Sequence, residues 1–374
     1  MTRMKDPVLV VLQLSGGNDY MNTVVPFANP QYYDNRPLLG VPEDDVLKLD
    51  DEIGLHPAMA PLKGMFDKGE MSIVHGVGWT DSNRSHFRCM DIWHTAEPDI
   101  FTSEGWLGKA TRQLDPQGEN PVTTVNIGPG LPRALVAGGV SIASVADINA
   151  YGLFTSFEKK QQRQMMLDRF AKMYTIGSGP VMDYLGQTGM DALNGADIIK
   201  TAAQKYGSNI EYAVNPVAKR LRDVAKIYLA DQGTRILYTE YGGFDTHAAQ
   251  ATTHLKLLTE VSNAIADFWD DLRAHQADEN VVMLVFSEFG RRVKENGGGT
   301  DHGAAGVAFV LGPKVKGGVY GEYPDMKAER LKDGDLAPTF DFRGLYTNLL
   351  EDWLNVDPEA VVKGQHEKPH LIAV

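Results

Sequence analysis

Short runs of apolar, often β-branched residues alternate along this chain with longer segments of helical periodicity. The runs lie at 8–14, 71–77, 122–127, 140–145, 235–239, 281–287 and 307–311. Apolar runs of this length are typical of strands that are buried on both faces of a sheet. An apolar stripe at helical spacing separates the 235–239 and 281–287 runs, so the crossover rule makes these two strands parallel. The pattern predicts an α/β fold.

The pattern becomes helical from about residue 152 to 232, with turn signals at 177–180 and 207–208. We interpret residues 1–374 as a single domain and 152–232 as a helical insertion or a cap over the site. Residues 341–354 predict a closing helix. The last twenty residues look like a surface tail, in which His366 and His370 are solvated.

Composition excludes several classes of function. The formal net charge is −13, whereas a nucleic-acid groove requires clustered Lys and Arg, so we expect no nucleic-acid partner. Cys89 is the only cysteine, which excludes an intrachain disulfide and a zinc site built from several thiolates. No segment approaches the length of a membrane span, and the apolar run at 8–14 is shorter than a signal peptide requires. We expect a cytoplasmic protein, or a periplasmic one if an export signal has been removed.

Polar residues follow four of the predicted strands directly. Asp19 comes after the first strand, Ser85 and His86 after the second, and Glu288 after the 281–287 run. Asp245 with His247 follows the strand at 235–239, and Asp301 with His302 lies in a glycine-rich loop beyond Glu288. The carboxyl ends of parallel strands meet at one edge of a sheet, where open α/β folds build their sites. We therefore expect these side chains to gather there.

Carboxylates and imidazoles without thiolates suit one or two divalent cations, namely Zn, Mn, Mg or Ca. Such ions clamp a phosphoryl or sulfuryl group while they activate a serine hydroxyl or a water molecule. Ser85 lies near the start of a predicted helix, where an anion is favoured, and Arg84, Arg291 and Arg292 are candidates for neutralising its oxygens. Each residue alone also fits a structural role: Asp19 and Ser85 as helix caps, Glu288 as an ion-pair partner, Asp301 as a turn residue.

Five segments resemble the DUF1501 proteins, an alkaline-phosphatase/sulfatase-like family of largely unassigned activity. They are LSGGNDYMNTVVP, SNRSHF, YGGFDTH, SEFGRRVKENGGGTDHG and DFRGLYTNLLEDWL. The resemblance covers most of the chain and implies an alkaline-phosphatase-like three-layer α/β/α sandwich with a mostly parallel central sheet. It also implies metal ligands at Asp19, Asp245, His247 and His302, with Glu288 at a further ligand position and Ser85 as nucleophile. From the residues themselves we expect Asp301 as another metal ligand and Arg84 and Arg292 as anion-binding residues.

The chain departs from that superfamily at two places. Phe289 stands where a ligating side chain is usual, which implies a weakened second metal site. The segment around Ser85 lacks the pattern needed for formylglycine formation, so ordinary sulfatase chemistry is not implied. We expect a metal-dependent hydrolase of phosphate or sulfate esters acting on a small anionic ester or a sulfated or phosphorylated glycan. The alternatives are a non-catalytic relative that binds an anionic glycan, phosphorylated ligand or partner protein, and a structural subunit.

Overall fold

The computed structural model of the chain describes residues 6–148 and 179–373, together with isolated positions between 161 and 172. Twelve strands are present in these residues. They are β1 (Val8–Ser15), β2 (Val24–Val25), β3 (Leu47–Lys48), β4 (Gly54–Leu55), β5 (Met71–Gly78), β6 (Thr124–Ile127), β7 (Ala143–Val145), β8 (Ile236–Gly242), β9 (Val281–Phe286), β10 (Gly306–Leu311), β11 (Gly318–Tyr320) and β12 (Phe340–Asp341).

Nine α-helices accompany the strands in the described part of the chain. They are α1 (Tyr20–Thr23), α2 (Pro30–Asn35), α3 (Ala60–Asp67), α4 (His86–Thr95), α5 (Trp106–Leu114), α6 (Pro180–Lys205), α7 (Pro216–Leu229), α8 (Gln250–Ala274) and α9 (Phe342–Asn348), which continues as a π-helical turn, Leu349–Leu354. None of the described helices combines the length and apolar content needed to cross a membrane.

The central sheet has the strand order β11–β5–β10–β9–β1–β8–β6–β7, with β12 paired to β5, and β2, β4 and β3 form a separate small sheet. β1 is parallel to both of its neighbours, β8 and β9. β10 is antiparallel to β9 and to β5. Two antiparallel steps return β5 to the direction of β1, so β1, β5, β8 and β9 all end at the same edge. The predicted parallel arrangement of the 235–239 and 281–287 strands is confirmed.

Alternation along the central strands divides the apolar core between the two faces of the sheet. Val8, Val10 and Leu12 belong to a cluster with residues of α3, α7 and α8. Leu9 and Val11 belong to a second cluster, which contains residues of α4, α5 and α9. Because successive side chains of a strand face opposite ways, each face is covered by its own helical layer. The predicted three-layer α/β/α sandwich is confirmed.

Much of the predicted helical block at 152–232 lies outside the described residues. Its described part contains α6 and α7, and Val217, Leu221 and Val224 of α7 are fully buried in the first core cluster. α7 therefore belongs to one of the two helical layers. A separate insertion or cap at 152–232 stays a prediction.

The prediction that the last twenty residues form a surface tail is wrong for residues 371 and 372. Leu371 and Ile372 are 0% and 4% exposed, and Ile372 forms a β-bridge with Val315. Two apolar side chains near the end of the chain fill the core on the α9 side of the sheet. This explains why the closing segment is held in place, since their burial favours an ordered chain.

Candidate metal centre

The turns that follow the parallel strands pack closely enough to require glycine. Gly16 and Gly17 continue β1 with φ values of +122° and +77°. A Cβ atom on Gly16 would lie 2.4 Å from the backbone nitrogen of Asp245, and one on Gly17 would lie 2.3 Å from the ring of Phe289. Both positions therefore combine a left-handed backbone with contacts that a side chain would block. The close approach brings the β1 turn against the loops after β8 and β9.

Three potential ligand atoms converge above these turns. His86 is the first residue of α4, Asp245 lies in the loop after β8, and His302 lies between β9 and β10. The Nε2 atoms of His86 and His302 are 3.0 Å apart. Asp245 Oδ1 is 3.0 Å from His302 Nε2, and Asp245 Oδ2 is 3.5 Å from His86 Nε2. The three residues form a group that can hold a metal ion.

These separations match those of ligands around a first-row divalent cation. Zinc binds imidazole nitrogens and carboxylate oxygens at about 2.0–2.2 Å. At ligand angles between octahedral and tetrahedral, neighbouring donor atoms are then about 2.8–3.6 Å apart. The distances among His86, Asp245 and His302 fall in that range. The donor set and its spacing therefore fit a cation without rearrangement of the side chains.

The hydrogen bonds behind the two imidazoles fix which nitrogen faces the centre. His86 Nδ1 is 2.8 Å from Oε1 of the buried Glu288, and His302 Nδ1 is 2.8 Å from the carbonyl oxygen of Arg84. Both acceptors require an N–H group, so in the neutral rings the two Nε2 atoms carry lone pairs. Two lone pairs and a carboxylate then point at one another, an arrangement that a cation or a proton between them stabilises.

Electrostatics support the same assignment. The hydrogen bond with Glu288 raises the pKa of His86 above its ordinary value, although burial acts in the opposite direction. Burial would raise the pKa of Asp245, but the hydrogen bond and the positive charge of Arg291 outweigh it and lower this pKa. The centre therefore presents an ionised carboxylate and an unusually basic imidazole, and a carboxylate behind a histidine strengthens it as a metal ligand.

A second group lies on the solvent side and shares His302. It consists of His247, Asp301 and His302. His247 Nε2 is 3.0 Å from His302 Nε2 and 2.9 Å from Asp245 Oδ1. Its Nδ1 atom is 3.8 Å from Asp301 Oδ1. This group is more exposed and more widely spaced than the first, so it is the weaker of the two candidate sites.

The structure thus brings together four of the residues predicted as ligands, namely Asp245, His247, Asp301 and His302. Glu288 lies behind His86 rather than among the donor atoms. Asp19 lies elsewhere: both of its oxygens accept hydrogen bonds from Arg36, at 2.6 and 3.2 Å, and one also accepts from Gln250. This buried ion pair engages the carboxylate, so the geometry does not support Asp19 as a ligand.

The three residues predicted to act on the substrate, Arg84, Ser85 and Arg292, do not contact the candidate ligand atoms through their side chains. They lie near Asp335 or line a neighbouring cavity. Arg84 donates to Asp335 at 2.7 Å, and Arg292 Nε lies 3.8 Å from the same carboxylate. Ser85 is the exposed N-cap residue of α4. It lines a cavity next to the centre rather than the cavity that contains Asp245. Roles for Arg84, Arg292 and Ser85 in catalysis stay predictions.

His86 and Arg291 join the centre in roles that differ from the predicted ones: His86 was expected at this edge but not as a ligand, and Arg291 was expected to bind the anion. Arg291 is buried and donates to Asp245 Oδ1 at 2.9 Å and to the carbonyl oxygen of Gly16 at 3.2 Å. From its buried position, Arg291 holds the Asp245 carboxylate in place by this hydrogen bond. The role of His86 could have been predicted from the sequence. An imidazole at the first helical position after a strand end is as well placed to reach the site as the Ser85 hydroxyl beside it.

Phe289 supports the imidazoles from within the core. It is 2% exposed, and its ring centroid is 4.8 Å from that of His86 and 5.2 Å from that of His302. An aromatic ring packed on both histidines restricts their rotation and excludes water from one side. Phe289 thus occupies a packing position, while His86, at the start of α4, places a candidate nitrogen ligand at the centre.

Two adjoining cavities open at this edge of the sheet. The centre cavity, with a volume of about 570 Å³, is lined by His86, Asp245 and Glu288 among others. The outer cavity, of about 860 Å³, is lined by residues of α4 together with Phe101 and Arg133. Phe87, Met90 and His94 line both. Their sizes suit a small organic ligand.

Several solved structures show a distant similarity in fold. A protein in the alkaline phosphatase superfamily from Vibrio parahaemolyticus is 9% identical, with a TM-score of 0.39, over 86% of this chain and 63% of that one. The PsFucS1 sulfatase from Pseudoalteromonas sp. is 12% identical, with a TM-score of 0.42, over 98% and 73%. The C-terminal periplasmic domain of EcEptC from Escherichia coli in complex with Zn is 10% identical, with a TM-score of 0.39, over 98% and 87%. At these scores the similarity carries no conclusion about activity.

Comparison with curated protein sequences finds no significant match. The model of one protein family, described as a protein of unknown function (DUF1501), matches residues 6–364. This match spans nearly the whole chain and includes all of the candidate ligand residues described above. The resemblance in the five sequence segments is thereby confirmed, and the chain belongs to the DUF1501 family.

Proposed function

We propose that the protein is a metal-dependent hydrolase of phosphate or sulfate esters. The observation that carries this proposal is the convergence of His86 Nε2, His302 Nε2 and the Asp245 carboxylate within 3.0–3.5 Å of one another. The cation is a divalent ion held by these three residues, with His247 and Asp301 as the ligands of a second, weaker site. When bound, such an ion polarises an ester oxygen and lets a water molecule lose a proton near neutral pH.

The residues around the centre hold the ligands in position. Glu288 accepts from His86 Nδ1, and the Arg84 carbonyl accepts from His302 Nδ1. Arg291 balances part of the charge of Asp245 without itself reaching the cavity surface, because it is 2% exposed. We assign these groups to orientation of the ligands and not to contact with the ester.

Ser15 is the residue that we assign to the ester itself. It lines the centre cavity at the end of β1. Gln13 Oε1 accepts from the Tyr238 hydroxyl and lies 2.8 Å from His94 Nε2, so the amide nitrogen of Gln13 is the group that donates to Ser15 Oγ, at 2.7 Å. The Ser15 hydroxyl proton is then available for an oxygen of the bound ester.

The attacking group is a water molecule or the Ser85 hydroxyl. Water is favoured, because Ser85 lines the outer cavity and His86 takes the place beside Asp245. Substitution separates the two: Ser85→Ala retains most of the hydrolysis rate if water attacks and loses nearly all of it if the serine attacks.

The test combines metal analysis with activity. The purified protein is loaded with Zn, Mn, Mg or Ca in turn, its metal content is measured by mass spectrometry, and hydrolysis of 4-nitrophenyl phosphate and 4-nitrophenyl sulfate is followed. We expect one ion per chain at the tighter site, and His302→Ala to lower both occupancy and rate by at least about a hundred-fold. His366→Ala, outside the centre, is the matched control.

The proposal fails if the protein binds no divalent ion under any of these conditions. If it binds an ion but hydrolyses neither ester, the centre is a binding site, and the chain is a non-catalytic relative that recognises an anionic ligand.

A further inference from the structure

Two phenylalanine side chains stand almost fully exposed beside the metal centre. Phe87 is 91% exposed and Phe101 is 80% exposed. Phenylalanine is stabilised by burial, so exposed rings that share one site mark a surface where a ligand supplies the missing contact. Leu131, which lines the centre cavity, is also 46% exposed. These exposed apolar side chains therefore form a surface that is continuous with the centre.

Phe87 links the two cavities. It follows His86 in α4 and lines both the centre cavity and the outer cavity, whereas Phe101 lines only the outer one. If the anionic group of a ligand lies at His86 and Asp245, the part of the ligand next to that group contacts Phe87, and the more distant part reaches Phe101. The outer cavity, of about 860 Å³, is large enough for a ring and its substituents and much larger than a short alkyl group needs.

In the outer cavity one face of the Phe101 ring is covered by an arginine. The guanidinium carbon of Arg88 lies 4.2 Å from the centroid of the Phe101 ring. Arg88 is itself bound by Asp91, at 2.7 Å, and by the carbonyl oxygen of Pro98. One face of the ring is therefore occupied by a tethered cation. Since the side chain is still 80% exposed, its other face is available to a ligand.

Charge in the outer cavity is nearly balanced. Asp91 pairs with both Arg88 and Arg133, so two cations share one anion. This leaves a net positive charge of about one, which is partly screened by solvent and gives only a modest attraction to a negative group. The selective feature of the outer cavity is thus its apolar ring surface.

We infer that the substrates of this site are esters whose alcohol part carries a ring with a flat apolar face, which stacks on Phe87 and Phe101 while the phosphate or sulfate group lies at His86 and Asp245. The inference rests on the proposed function for the position of the anionic group. An aromatic ring and the apolar face of a sugar ring both offer this chemistry, because each presents C–H or π surface to an aromatic plate.

Binding experiments test the inference without relying on turnover. Zinc-loaded protein is titrated calorimetrically with phenyl phosphate, a hexose monophosphate, ethyl phosphate and inorganic phosphate. We expect at least one ring-bearing ester to bind about ten-fold more tightly than ethyl phosphate, and which of the two does so identifies the source of the ring. Phe87→Ala and Phe101→Ala are expected to remove most of this advantage and to leave the affinity for inorganic phosphate unchanged.

Val214→Ala is the matched control, because Val214 is fully exposed and lines neither cavity. Equal affinity for all four ligands, or a ring advantage that survives in both phenylalanine variants, overturns the inference. The two proposals fail separately. If ring-bearing esters bind more tightly but no ester is hydrolysed, the proposed hydrolase activity is wrong and the ring-binding site stands. If esters are hydrolysed without a preference for a ring, the hydrolase activity stands and the ring-binding site is wrong.

Discussion

His302 Nδ1 lies 2.8 Å from the backbone carbonyl oxygen of Arg84, a residue 218 positions earlier in the chain. A carbonyl oxygen only accepts hydrogen bonds, so the proton of the neutral imidazole is on Nδ1 and the lone pair is on Nε2, facing Asp245. The loop before α4 therefore sets the chemistry of a side chain between β9 and β10. The centre depends in this way on groups that do not themselves touch a cation, and such groups are open to mutation.

Glu288→Gln tests the carboxylate behind His86. A glutamine oxygen still accepts from His86 Nδ1 and from the Gly16 N–H, at the sites where Glu288 accepts now at 2.8 and 2.9 Å. Its amide can donate to the Ser287 hydroxyl, 3.0 Å away, which itself donates to Leu14. We expect the fold to survive and the affinity for zinc to fall about 10- to 100-fold, because the negative charge that strengthens the imidazole is lost.

Isothermal titration of zinc into the metal-free protein measures this effect, and the unfolding midpoint in EDTA reports on the fold. Glu43→Gln, at an exposed carboxylate that pairs with Lys48, is the control and is expected to leave both values unchanged. An unaltered zinc affinity in Glu288→Gln would show that the charge behind His86 has no part in metal binding.

Most of the fold follows from local patterns in the sequence. A strand buried on both faces needs a continuous apolar run, and β1 and β9 have one, with alternate residues in the two core clusters. Asp245 and Glu288 both follow strands that pair in parallel with β1. They therefore lie at the same edge of the sheet, regardless of the conformation of the loops. This part of the centre depends on topology, which the sequence pattern predicts.

The pairing of Asp19 depends instead on tertiary packing. Its partner, Arg36, lies at the end of α2 and is also bound by the carbonyl oxygens of Arg292 and Val293. No periodicity relates these positions. Ser85 and His86 illustrate a second limit, because neighbouring residues at a helix start project about 100° apart and a small shift in the helix boundary exchanges their directions.

Asp19→Ala is expected to destabilise the protein by about 3–5 kcal/mol, because Arg36 would be left buried without its carboxylate. Burial opposes ionisation of Asp19, but Arg36 lowers its pKa below the ordinary value, so the charged pair is the stable form. Urea denaturation measures the loss. The double variant Asp19→Leu, Arg36→Met removes both charges and is expected to lose less stability than Asp19→Ala alone.

Zinc affinity distinguishes this structural role from ligation. The double variant is expected to bind zinc within about three-fold of the unmodified protein, since His86, Asp245 and His302 are unchanged. A fall of a hundred-fold or more in a double variant that is still folded would instead return Asp19 to the ligand set.

His75 is expected to make the stability of the protein depend on pH. It is buried in β5, its Nδ1 lies 2.6 Å from the Tyr20 hydroxyl oxygen, and within the described residues its Nε2 has no hydrogen-bond partner. Burial lowers its pKa to about 4. The unfolded chain, with a pKa of about 6.5 at this residue, therefore binds a proton more readily than the native protein. The contribution to stability is complete above pH 6.5, falls as the pH decreases toward 4, and is constant below that. By linkage the single histidine makes the protein about 2 kcal/mol less stable at pH 5 than at pH 7.

Urea denaturation at both pH values, compared between the unmodified protein and His75→Gln, measures the part of this pH dependence that is due to His75. The glutamine amide can accept from or donate to the Tyr20 hydroxyl but does not titrate, so the difference between pH 5 and pH 7 should shrink by about 2 kcal/mol. An identical pH dependence in the two proteins would mean that His75 is not held neutral in the core.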